Sequence, residues 1–166
     1  LAAVPGLAQA AGAVLEAEQV AQIDSKDMDA DVWARLAQRC AAHLADPAVA
    51  GIVVTHGTDT LEETAWLLHE LLDAARPVVL TCAMRPATAL VPDGPQNLLD
   101  AVALAADPSA RGVLVVAGAA GIEGHARQRR GALEHEVRWL HARLRLAPRL
   151  GDRLPGIVDA VGDHWP

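Results

Sequence analysis

Phenylalanine and tyrosine occur nowhere in this 166-residue chain, and four tryptophans are its only large rings. An interior without them must be assembled from Leu, Val, Ile and Ala, side chains that pack well between a sheet and helices. Positive charge is equally scarce. Lys26 is the only lysine, and the formal net charge of −7 argues against nucleic acid or an anionic membrane, both of which need clustered positive charge. The expected partner is a small molecule. No apolar run approaches the roughly 20 residues that span a bilayer, so no membrane segment is expected. Two cysteines, Cys40 and Cys82, form neither a disulfide framework nor a metal-ligand spacing. They read as core residues in a cytoplasmic protein, with a periplasmic location as the alternative, since the chain begins at Leu1 instead of an initiator methionine.

What is present is a 52% hydrophobic chain, enough for one core. Between about 17 and 117, short β-branched runs alternate with amphipathic segments, the pattern of a parallel sheet covered by crossover helices. Strands are expected at Glu18–Ile23, Ile52–Thr55, Val78–Thr81 and Val113–Val116. A first helix is capped by Asp29 or Asp31, carries Trp33, Leu36, Cys40 and Leu44 on one stripe, and stops at Asp46-Pro47. A second opens at Thr60, where Thr60 and Glu63 fit a capping box. A third begins at Pro95 after the Asp93-Gly94 turn.

Open parallel sheets bind ligands beyond the carboxyl ends of their strands. Three loops stand there: Asp24-Ser25-Lys26-Asp27-Met28, Thr55-His56-Gly57-Thr58-Asp59 and Cys82-Ala83-Met84-Arg85-Pro86. A threonine hydroxyl becomes a nucleophile only when a base takes its proton, and Asp59 beside Thr58 supplies a carboxylate but no strong base. Spacing alone leaves open whether the pair is chemical or simply satisfies backbone amides at a strand-to-helix turn. Neither a dinucleotide-binding glycine motif, nor a P-loop, nor a nucleophile elbow is present. His56 has no second ligand at metal spacing and reads as a turn or supporting residue; Arg85 reads as an ordinary loop salt-bridge partner.

The string GIVVTHGTDTLEETAWLL at 51–68, preceded by IDSKDM and followed by RPVVLTCAMRPATALVPDGPQNLLDAV, resembles the bacterial L-asparaginase/glutaminase family in order, spacing and residue type over roughly residues 1 to 117. The resemblance implies an α/β fold, a three-layer, mostly parallel sheet with helices on both faces like an asparaginase N-terminal domain, and hydrolysis of asparagine, or glutamine, through an acyl-enzyme without metal or cofactor. It implies Thr58 as one of two catalytic threonines and Asp59 as its partner, which also grips the α-amino group. Ser25 would bind the α-carboxylate and Ala83 would offer a backbone group to the side-chain amide; Lys26 stands as a further substrate contact or a solvated surface residue. Family members assemble as homo-oligomers.

Three departures accompany the likeness. The family's opening strand with T-G-G-T-I does not occur, no lysine follows the fourth strand, where Arg127, Arg129 and Arg130 stand instead, and the smaller C-terminal domain is absent. Arginine does not release its proton to act as a base. The chain by itself is therefore expected to be inactive or nearly so, with a noncatalytic remnant or amino-acid-binding module as the alternative.

Composition divides the chain into a core over 1–120 and a tail over 121–166. Up to Gly121 there are 6 basic residues against 15 acids, and from Ile122 onward 8 arginines against 6 acids. ALEHEVRWLHA at 132–142, read one nucleotide later, permits L-S-S-T-R-F-D-G-F-T, which looks like family sequence. The tail thus reads either as out of frame or as a divergent arginine-rich helix.

Overall fold

The computed structural model describes residues 4–118. The tail and its boundary at 121 lie outside them. A short helix, α1 (Leu7–Ala11), is followed by an irregular stretch and a 3-10 turn at Ser25–Asp27. Then come α2 (Ala30–Ala45), β1 (Ile52–Thr55), α3 (Leu61–Leu71), β2 (Val78–Thr81), α4 (Gly94–Ala106) and β3 (Val113–Val116).

The three strands form a parallel sheet in the order β1-β2-β3. Its register sets Ile52 beside Val78 and Val78 beside Val113, so Thr55, Thr81 and Val116 end in one row. Alternation along each strand divides its side chains between two apolar layers. Ile52, Val54, Val78, Leu80, Val113 and Val115 pack with α2 and α3 around Leu36, Cys40 and Leu68. Val53, Val79, Leu114 and Val116 pack with α4 through Ala101 and Ala105, and α1 closes that side through Leu7 and Ala11 on Val102. Helices therefore cover both faces.

This arrangement has a geometric consequence. The two crossovers, β1-α3-β2 and β2-α4-β3, step across the sheet in the same direction, yet their helices lie on opposite faces. They must have opposite hands, and one is the left-handed form that parallel connections rarely adopt.

Two expectations are corrected. Glu18–Ile23 joins no ladder; its residues are exposed except for half-buried Val20, which packs on the α2/α3 layer. Glu18 instead accepts a forked pair of hydrogen bonds from Arg39 on α2, at 2.9 and 2.8 Å, so the segment is strapped by side chains. Thr60 precedes α3, but its hydroxyl makes no capping bond there; it is drawn to another loop. The Asp29 cap of α2 forms as expected, its carboxylate accepting the Val32 N–H at 2.9 Å.

Candidate active site

Because β1 and β2 are parallel neighbours, the loops that follow Thr55 and Thr81 emerge side by side, and His56 N–H donates to Thr81 O at 2.8 Å across their ends. The Ser25–Asp27 turn joins them from a distant part of the sequence. Ser25, only 8% exposed, is tied to Asp59 and Thr60 by three bonds. Its Oγ–H donates to Asp59 Oδ2 at 3.3 Å, its Oγ accepts the Asp59 N–H at 3.2 Å, and its carbonyl accepts the Thr60 hydroxyl at 2.7 Å. Here lies the reason Thr60 does not cap α3: its hydroxyl ties the two loops together.

Gly57 makes the approach possible. A Cβ there would stand 2.3 Å from Ser25 Oγ and 2.7 Å from Ser25 Cβ, so any side chain would push the serine off Asp59. The need is for space and not for an unusual dihedral.

The turn itself is organised from Asp24, whose side chain accepts the Lys26 N–H and pairs with Lys26 Nζ. The Lys26 side chain is 62% exposed and also stands 4.0 Å from Asp27. Its ammonium is directed at these two carboxylates, and the Lys26 hydrogen bonds lower the Asp24 carboxyl below its ordinary range.

Thr58 and Asp59 are exposed at the mouth of the β1 loop. Among the described residues neither the hydroxyl nor the N–H of Thr58 has a hydrogen-bond partner, so both are available to a ligand. Ala83 is exposed in the loop after β2, at the same end of the sheet. That loop is shaped by Asp93, whose carboxylate accepts the Met84 and Arg85 N–H groups at 3.0 and 2.9 Å. These two bonds hold its carboxyl below the usual range. Buried Asn97 on α4 donates to Cys82 O at 2.8 Å. Arg85, expected to form a salt bridge, instead donates to Val91 O at 3.2 Å within its own loop.

The site thus brings Ser25 and Asp59 into contact, places Thr58 beside them and sets Ala83 on the neighbouring loop, while Lys26 is turned to Asp24. Two supporting residues escaped the sequence reading. Thr64 on α3 bonds His56, and Trp33 on α2 bonds Thr64; the available signal was their position one helical turn inside each helix.

The asparaginase N-terminal family model matches residues 1–131. This chain belongs to the asparaginase family. It is 48% identical over 103 residues to a probable periplasmic L-asparaginase of Haemophilus influenzae, covering 61% of this chain and 29% of that protein. To L-asparaginase 2 of Escherichia coli it is 46% identical over 116 residues, covering 69% of this chain and 32% of that one. The crystal structure of a probable cytoplasmic L-asparaginase from Campylobacter jejuni superposes with a TM-score of 0.65 at 45% identity, over 69% of this chain and 35% of that structure. The chain spans about a third of the length of these relatives. Its sheet and flanking helices are those of the asparaginase N-terminal fold. Among the described residues, no helix is long and apolar enough to cross a membrane.

Proposed function

We propose that this site recognises the α-amino and α-carboxylate groups of asparagine, with glutamine as a second substrate, and that Thr58 acts on the side-chain amide to release ammonia through an acyl-enzyme. The observation that carries the reading is the contact of Ser25 Oγ with Asp59 Oδ2 and the Asp59 N–H. A hydroxyl able to donate to a carboxylate and a carboxylate able to receive an ammonium stand together, which is the pattern a zwitterion requires. Ala83 would meet the amide from the neighbouring loop, and Lys26 contributes positive potential near the carboxylate. The names of the relatives support the same chemistry. The activated threonine would form an ester with the substrate's side-chain carbonyl as the amide C–N bond breaks and the leaving nitrogen takes the hydroxyl proton to depart as ammonia; water then cleaves the ester, giving the acid and restoring the hydroxyl.

One observation favours the binding-module reading. Thr58 Oγ has no basic partner among the described residues, and Lys26 faces Asp24, so recognition is better provided for than proton removal. The deciding experiment measures ammonia release from L-asparagine and L-glutamine together with L-aspartate binding. Ammonia release that disappears in Thr58→Ala carries the hydrolase; aspartate binding without release carries the module; neither overturns both. A cytoplasmic location and a homo-oligomeric assembly complete the proposal, the former supported by the buried, unbridged thiol of Cys40. Subcellular fractionation and light scattering test them.

A further inference from the structure

With its imidazole neutral, His56 lies in a chain of hydrogen bonds that admits one arrangement of protons. Its Nδ1 is 2.7 Å from Gly57 O, and a carbonyl only accepts, so the ring proton sits on Nδ1. In the neutral ring Nε2 is then an acceptor and takes the Thr64 hydroxyl proton across 3.0 Å. Thr64 Oγ1 in turn accepts from Trp33 Nε1–H at 2.9 Å. Trp33 belongs to α2 and fully buried Thr64 to α3. The line Trp33, Thr64, His56, Gly57 therefore runs from two packed helices into the loop that bears Thr58.

We propose that His56 is a positioning residue of the substrate site, locked as its Nδ1–H tautomer by Thr64 and Trp33 so that it fixes the plane of the Gly57–Thr58 peptide. In a trans peptide the C=O and N–H point in opposite directions. Holding Gly57 O against the imidazole thereby directs the Thr58 N–H away from it and sets the start of the Thr58-Asp59 segment that meets Ser25. A neutral hydrogen bond within a loop is modest by itself, but here each member orients the next, and the loss of any one leaves a partner unsatisfied. The inference rests on the reading of the Ser25–Asp59 contact as an amino-acid site.

The test uses the whole chain. Long-range proton–nitrogen NMR of the imidazoles at alkaline pH is expected to show His56 with its proton on Nδ1. Thr64→Val should redistribute it over both nitrogens, whereas Thr64→Ser, which keeps the hydroxyl, should restore the wild-type pattern. L-aspartate calorimetry supplies the functional arm. Asn at position 56 can place its amide donor where Nδ1 stands, and Gln reaches only the Nε2 position. His56→Gln should weaken binding about tenfold, the scale of one lost hydrogen bond, and His56→Asn should retain more affinity. A proton on Nε2 in wild type overturns the proposal, as does equal aspartate affinity across wild type, Thr64→Val and His56→Gln. If wild type binds no aspartate, the substrate site itself fails, while the NMR pattern still decides the tautomer.

Discussion

Gly57 shows how one residue's lack of a side chain can decide a site. The 2.3 Å gap between a Cβ there and Ser25 Oγ means that Gly57→Ala should abolish aspartate binding while costing little global stability, because the loop is exposed; a thermal melt beside a binding isotherm separates the two. Cys40 makes a complementary point. Burial, with a contribution from Glu18, pushes its thiol up to about 11, so at pH 8 almost none is thiolate and alkylation by iodoacetamide should be slow until the chain is unfolded. Rapid labelling of native protein would contradict that placement. Ser25, Thr58 and Asp59 stood out in the sequence as hydroxyls and a carboxylate beside strand ends that match family motifs, and Ala83 by the family motif alone. His56 did not, since its role depends on Thr64 and Trp33, 8 and 31 residues apart from their partners in the line. No local spacing records such a bond.

Elements were legible where periodicity and caps agreed. The α2 stripe, its Asp29 cap and the three paired strands follow from apolar spacing and β-branched runs. Thr60 misled because a hydroxyl three residues before Glu63 fits a capping box, whereas its hydrogen bond to Ser25 O wins in the folded chain. Glu18–Ile23 misled because alternation marks a strand only if a neighbour is free to pair. Its Glu18 is lowered to about 2, chiefly by hydrogen bonds from Arg39, with His43 adding to them. A depressed carboxyl stabilises fully above the unfolded value near 4.5 and loses that contribution as pH falls through about 2. The difference in melting temperature between wild type and Glu18→Gln should shrink from pH 5 to pH 2, and should be small in high salt because the pair is exposed; a constant difference would refute the strap. Arg76 closes the other end of α2. Its guanidinium donates to Leu44 O in the last turn of α2 and to Val49 O and, at 2.6 Å, Asp46 O in the loop that follows, so it takes up a carbonyl of the helix end and ties the loop to it. Arg76→Ala should cost about 1.5–3 kcal/mol in urea unfolding, and Arg76→Lys should recover only part, since an ammonium lacks the planar fork.

At the scale of the whole molecule, stability and function draw on opposite ends of the same strands. Leu68 is 0% exposed in the α2/α3 layer, and Leu68→Ala should cost about 2–5 kcal/mol. Gly51, just before β1, admits no Cβ, which would lie 2.2 Å from Ala105 O on α4. These residues let the helices close on β1 and β2, whose loops leave at the same end of the sheet. The opposed hands of the two crossovers could not be read from the sequence, because strand and helix patterns carry no sense of direction across a sheet. What the order of elements did convey was that the loops after Ile52–Thr55 and Val78–Thr81 would share an edge, and the two are hydrogen-bonded there. In the proposed site Ser25 and Asp59 act together on one amino-acid ligand. A double-mutant cycle on L-aspartate affinity, using Ser25→Ala, Asp59→Asn and their combination, decides this: the two losses should be non-additive, with a coupling of about 1 kcal/mol or more. Losses that simply add, or binding that survives both substitutions, would contradict it.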